Sequence, residues 1–335
     1  MTPTRRAALS AFALASAAFT ADCGAAARPS EGVLETGTLA SGLVPSPVKY
    51  TVLRPPGHAA ASLPLLLFLH GGDGDNGFLA RFQHTIDAAW AADELTPCLV
   101  VTPDADRSLY LDYFDGSQKW ETFIVEELIP DLRRTYGLAN GRSATVVAGI
   151  SMGGLGAARL GLKHPELFGG LAALEPGVEP ALRFADVKTR NAFQRGRPFI
   201  EARFGSPVNE GWWQANNPAN VAIARRDAIA AAKLAIYLDV GDLDMFHIDE
   251  GTEFLHRVLW DQRILHEYRL LRGADHLGRT LAPRVGEALK WLDAQVLRPP
   301  PPDASYRAGL AGVNTLKRLA GVDDALPRPP LPPTH

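Results

Sequence analysis

Cysteine is almost missing from this chain of 335 residues, which has only Cys23 and Cys98. Two thiols exclude a disulfide framework and a thiolate metal cluster. Basic runs are missing too, and the formal net charge is −3, so neither nucleic acid nor an anionic membrane is an expected partner. The nine histidines contain no H-E-x-x-H spacing, which sets aside that kind of metallohydrolase. No metal or other cofactor is expected, and there is no internal repeat.

What is present is ordinary for a globular protein: 46% hydrophobic and 21% charged residues supply a large core. A chain of this length fits one α/β domain with insertions. At the N-terminus, Arg5 and Arg6 precede the apolar residues 7–21, and Ala25-Ala26-Ala27 offers a small-residue cleavage site. Residues 1–27 therefore read as an export signal, too short to span a bilayer stably, so the mature chain is expected without a transmembrane segment and outside the cytoplasm, periplasmic or extracellular. Cys23 would leave with the signal or, in the alternative, carry a lipid; Asp22 before it argues against the lipid. Cys98 lies in the apolar run 97–101 and is expected to be buried and inert. From residue 298 the chain is rich in proline and reads as an extended tail with one short helix near 313–319.

The chain is organised around residues 143–165. An apolar run (144–148) suited to one buried strand meets Gly149-Ile150-Ser151-Met152-Gly153, and a helical pattern rich in small residues follows as far as Pro165. A serine at the tip of so sharp a strand-to-helix bend is held in a strained conformation, and Gly149 and Gly153 remove bulk that would clash with it. The first N–H groups of the following helix face whatever Ser151 attacks.

Several other segments read as elements of the same layered fold. Residues 48–54 alternate as an edge strand, and 65–69 form an unbroken apolar run typical of a central parallel strand. That run ends in His70-Gly71-Gly72-Asp73-Gly74, where glycine lets the backbone approach a ligand. Residues 78–92 read as a helix, 98–102 as a strand, and 118–136 as a helix that Pro130 should kink. After a lapse in the pattern over 175–227, strands are expected at 234–240 and 265–271, with helices at 249–262 and 281–296. Alternating strands and helices imply an α/β protein with a doubly wound, mainly parallel sheet and its site at the carboxyl ends of the strands. The lapse is too aromatic for a linker and reads as a partly helical cap inserted into a body spanning 28–297. Its Trp212 and Trp213 either line the substrate cleft or pin the cap to the body.

Hydrolysis by a serine needs a base for the serine proton and an acid to orient that base. Ser151, Asp244 and His276 occur in that chain order, each just past the end of an expected strand. For the acid, Asp239 lies inside its strand, and Asp242 directly follows Gly241. Asp244 stands three residues past that glycine, where the turn could aim it at the histidine; Asp244 is preferred, then Asp242. The amides of Gly72 and Met152 are assigned as oxyanion donors.

Gly149-Ile150-Ser151-Met152-Gly153-Gly154, the strand ending in His70-Gly71-Gly72, Leu238-Asp239-Val240-Gly241 followed by Asp244, and Asp275-His276 together resemble the esterase D superfamily of α/β-hydrolases. Residues 120–130, from Trp120 to Pro130, resemble the helix such proteins carry before the serine strand. The similarity runs over roughly 48–296; the cap and tail match no particular subgroup. The resemblance implies Ser151 as nucleophile, Asp244 as acid, His276 as base and the Gly72 and Met152 amides as oxyanion hole. It does not choose a substrate. Export favours polysaccharide-linked or other extracellular esters, such as feruloyl or acetyl esters of sugars, over a cytosolic thiol ester. Acyl transfer to a sugar hydroxyl is the second enzymatic reading. A non-catalytic binding protein on the same scaffold is a third, against which stands the presence of all three triad residues.

Overall fold

The computed structural model describes residues 31–301 and 303–322. The expected signal at 1–27 and Cys23 lie outside the described residues. Eight strands form one sheet in the order β1-β2-β4-β3-β5-β6-β7-β8: β1 Val33–Leu39, β2 Val48–Arg54, β3 Leu65–Leu69, β4 Leu99–Pro103, β5 Thr145–Ile150, β6 Gly170–Leu174, β7 Ala235–Gly241 and β8 Glu267–Leu271. β1 and β2 pair antiparallel, as do β2 and β4, and the remaining pairs are parallel.

The parallel centre is apolar on both faces because helices cover both. Along β3, Leu65, Leu67 and Leu69 join one core with Phe123, Leu128 and Leu160, while Leu66 and Phe68 join the other with Phe78, Phe82 and Val285. That alternation is the two-residue period of a strand, here with both faces buried. From β3 the chain first builds β4 on one side and then returns to place β5 on the other. The carboxyl ends of β3 and β5 therefore flank the point where strand order reverses, which is where α/β sheets bind ligands.

Two strands were not expected. β6, Gly-Leu-Ala-Ala-Leu, is built from residues of weak strand propensity, yet all five are buried between β5 and β7. β1 is largely exposed and exists through its seven-residue pairing with β2. The helical run over 120–136 contains a π-type stretch, Phe123–Leu128, just before Pro130, which has no N–H for the regular ladder. Between β6 and β7 the insertion carries short helices as far as Ala232, somewhat beyond the expected limit. The tail helix, Ala304–Leu319, is longer than expected. The Asp303 carboxylate accepts the Ser305 and Tyr306 N–H groups and starts the helix early. Cys98 is fully buried, and burial pushes its thiol up to about 12.

Candidate active site

Ser151 stands between β5 and the helix Met152–Lys163 with φ 59° and ψ −113°, a conformation a non-glycine residue adopts only when its surroundings impose it. A Cβ on Gly149 would lie 2.2 Å from the Gly153 carbonyl oxygen, and one on Gly153 would lie 2.1 Å from that of Leu69. Both glycines are thus fixed by close backbone approach. The Ser151 N–H donates to the Leu174 carbonyl at 3.0 Å, and the Ser151 carbonyl accepts from Leu155 and Gly177. The unexpected strand β6 therefore anchors the serine turn from beside it.

His276 lies in the turn after β8, its Nε2 3.0 Å from Ser151 Oγ and its Nδ1 2.7 Å from Asp244 Oδ2. With the Nδ1 hydrogen given to Asp244, Nε2 is left to accept the serine proton. The other Asp244 oxygen accepts the Phe246 N–H at 2.8 Å, so the acid is itself oriented. Phe246 packs edge-on against the imidazole with ring centres 4.8 Å apart. Burial disfavours a charged imidazole, but the Asp244 hydrogen bond and the Glu175 and Asp244 charges outweigh it and hold the pKa above the usual value. Burial likewise opposes ionisation of Asp244, and its bond to His276 and the backbone N–H groups overcome that and lower its pKa. Asp242 sits elsewhere: it accepts the Gly273 N–H at 2.6 Å and pairs with exposed Arg272.

The loop after β3 is shaped by His70. This ring is fully buried, its Nε2 accepts the Ala105 N–H at 3.0 Å, and its Nδ1 is 2.7 Å from the Gly71 carbonyl. Accepting at Nε2 leaves the hydrogen on Nδ1, and burial lowers the ring's pKa. The Tyr110 hydroxyl donates to the His70 carbonyl. Gly72 and Met152 line one cavity of about 580 Å³ together with Ser151 and His276. Met152 opens its helix, where N–H groups lack intrahelical acceptors.

The cavity is walled by Phe78, Phe82, Phe199, Phe246 and Leu277, with Arg107 and Arg195 among its polar groups. Neither tryptophan lines it. Trp213 is buried against Phe184, and Trp212 packs on Phe114 and donates its indole N–H to the Asp112 carbonyl. Trp212 thus ties the insertion to the body, while Trp213 packs against Phe184 within the insertion. A second anchor escaped sequence reasoning. Fully buried Arg159 donates from the serine helix to the Asn216 carbonyl in the cap at 2.7 Å and to the Leu109 carbonyl, and burial brings its pKa down to about 10.

A buried ion cluster was also missed. The Arg284 guanidinium donates to Asp239 at 2.6 Å and to Glu175 at 2.9 Å, and all three side chains are essentially inaccessible. An acidic residue inside an apolar strand, such as Asp239, is a sequence signal for a buried partner, although it does not say which one. Glu175, Asp244 and His276 bring three donor atoms within 4.8 Å of one another. The 2.7 Å Asp244–His276 contact is a hydrogen bond, and Arg284 holds Glu175 Oε2, so of these groups only Glu175 Oε1 is left without a hydrogen bond among the described residues.

Residues 41–277 match the family model described as "Putative esterase". Among curated proteins, an acetyl esterase of Caldicellulosiruptor saccharolyticus is 36% identical over 79 residues, which cover 24% of this chain and 30% of that protein. An esterase of Mycobacterium tuberculosis is 34% identical over 110 residues, covering 30% of this chain and 22% of that one. The matched segments thus span less than a third of either curated relative. Among solved structures, a ferulic acid esterase superposes with a TM-score of 0.64 at 22% identity, covering 79% of this chain and 99% of the other. An S-formylglutathione hydrolase from Agrobacterium tumefaciens gives 0.64 at 20% identity, covering 79% and 96%. At such identities the likeness is one of fold.

Proposed function

The chain belongs to the esterase family, and from that premise we propose that it is a serine carboxylic-ester hydrolase working through an acyl-enzyme. The observation that carries the proposal is the continuous line from Ser151 Oγ to His276 Nε2, and from Nδ1 to Asp244, at 3.0 and 2.7 Å. Ser151 Oγ attacks the ester carbonyl carbon as its proton passes to His276 Nε2, and Asp244 holds the imidazolium that forms. The carbonyl oxygen, now an anion, faces the Gly72 and Met152 amides. His276 then gives its proton to the departing alkoxide, leaving the acyl group on Ser151. Water then attacks the acyl carbon as it loses a proton to the same nitrogen, and His276 returns that proton to Ser151 Oγ as the acid leaves.

Cavity shape supports an aromatic acyl group. A volume of about 580 Å³ walled by four phenylalanines is far larger than an acetyl group requires and suits a hydroxycinnamoyl ring. The neighbours named as ferulic acid esterase and acetyl esterase point to the same two candidates. Export, which rests on the pattern of residues 1–27, supports sugar-linked esters as the substrates met outside the cytoplasm. Comparing feruloyl and acetyl esters of one sugar alcohol tests the choice. The feruloyl ester is expected to have the higher kcat/KM by at least about tenfold, the scale on which apolar pockets discriminate. Equal or better turnover of the acetyl ester would reject the aromatic assignment.

A further inference from the structure

Glu175 follows β6 directly, fully buried, with φ +41°. A glutamate is held in that left-handed region only by its surroundings. Its N–H donates to the Asp239 carbonyl at 2.7 Å, and its Oε2 accepts from Arg284 at 2.9 Å. The remaining oxygen, Oε1, has no hydrogen-bond partner among the described residues and lies 3.7 Å from His276 Nδ1. That is the nitrogen Asp244 already holds at 2.7 Å. The pair with Arg284 accounts for Oε2 but not for the placement of Oε1. Arg284 is already engaged twice by Asp239, at 2.6 and 3.3 Å, and burying a further carboxylate beside a satisfied pair is costly. Among the described residues, three buried carboxylates, Glu175, Asp239 and Asp244, stand around one permanent cation, Arg284, and a proton on His276 reduces that excess by one charge.

We infer that Glu175 is a positioning residue for His276, a second anion aimed at Nδ1 that stabilises the imidazolium formed when Ser151 gives up its proton. This rests on the triad reading above. The charged groups facing His276 are Asp244, Glu175 and Arg284, and those facing Glu175 are His276, Arg284 and Asp239. Burial pushes the Glu175 carboxyl up to about 7, against the pull of His276 and Arg284, and once ionised it faces the imidazolium as an anion. At 3.7 Å the two groups are expected to titrate as a coupled pair.

Removing an anion near Nδ1 disfavours the imidazolium and lowers its pKa, so the neutral base persists to lower pH. In Glu175→Gln the acid limb of kcat/KM, which reports the free enzyme, is expected to move down by about one pH unit, with kcat lower by about tenfold. An active Glu175→Gln enzyme with an unmoved acid limb overturns the inference, since a purely structural glutamate would change stability without touching that midpoint. If this variant does not fold, 15N-histidine NMR of the Ser151→Ala protein, with Glu175 in place, supplies the test. The His276 ring nitrogens are then expected to follow two titration steps, their own and that of Glu175, and a single step overturns the inference. Failure of the triad reading looks different, because Ser151→Ala would then retain its activity.

Discussion

Ser151→Ala is expected to lower kcat on an activated ester by about 10^6, the usual cost of deleting a nucleophile whose base and anion site remain. Few other single changes here should approach that loss. The alanine keeps the strained backbone of φ 59° and ψ −113°, because backbone bonds to Leu174, Leu155 and Gly177 hold it, and none of them involves the hydroxyl. Only the 3.0 Å bond to His276 is lost. Fold and melting temperature should therefore be nearly unchanged, with a Tm shift below about 2 °C. Retention of a tenth of the activity by a well-folded alanine variant would mean that another residue attacks the ester.

Asp244→Asn should cost about 10^4 in kcat. The asparagine carbonyl can keep the Phe246 N–H bond now made by Oδ1 at 2.8 Å. Its amide then meets His276 Nδ1 as a donor, so the ring must hold its hydrogen on Nε2, where it cannot take the serine proton. Asp242→Asn is the control from the same turn. That side chain accepts the Gly273 N–H and pairs with exposed Arg272, and an asparagine oxygen can still accept from Gly273. Its cost should stay below about tenfold, as for other surface substitutions. Measuring both at neutral pH on one ester separates the two acids, and a larger loss for Asp242→Asn would contradict the geometry.

Much of the site is legible in the sequence because its chemistry is local. The serine turn announces itself through Gly149 and Gly153, whose missing side chains make room for the backbone of Gly153 and Leu69. Asp244 and His276 fall where strands end, and strand ends are readable from apolar runs. What stays hidden depends on partners distant in sequence. β1 is defined by its pairing with β2, and β6 by burial between two strands, since neither alternation nor propensity marks it. Arg284 lies 109 residues from Glu175 and 45 from Asp239, so only the assembled sheet and helix reveal the cluster. The two tryptophans show the same limit from the other side. An adjacent aromatic pair in a cap signals burial, and the fold alone decides whether the burial is against ligand or protein. Here Phe184 and the Asp112 carbonyl take that place.

The most direct test of the central claim is the reaction of the full-length protein with a p-nitrophenyl phosphonate, whose adduct on an activated serine resists hydrolysis. One label per chain is expected on the peptide containing Ser151, appearing in step with the loss of esterase activity, and Ser151→Ala should take up none. Labelling at another residue, or full activity after Ser151 is labelled, would contradict it.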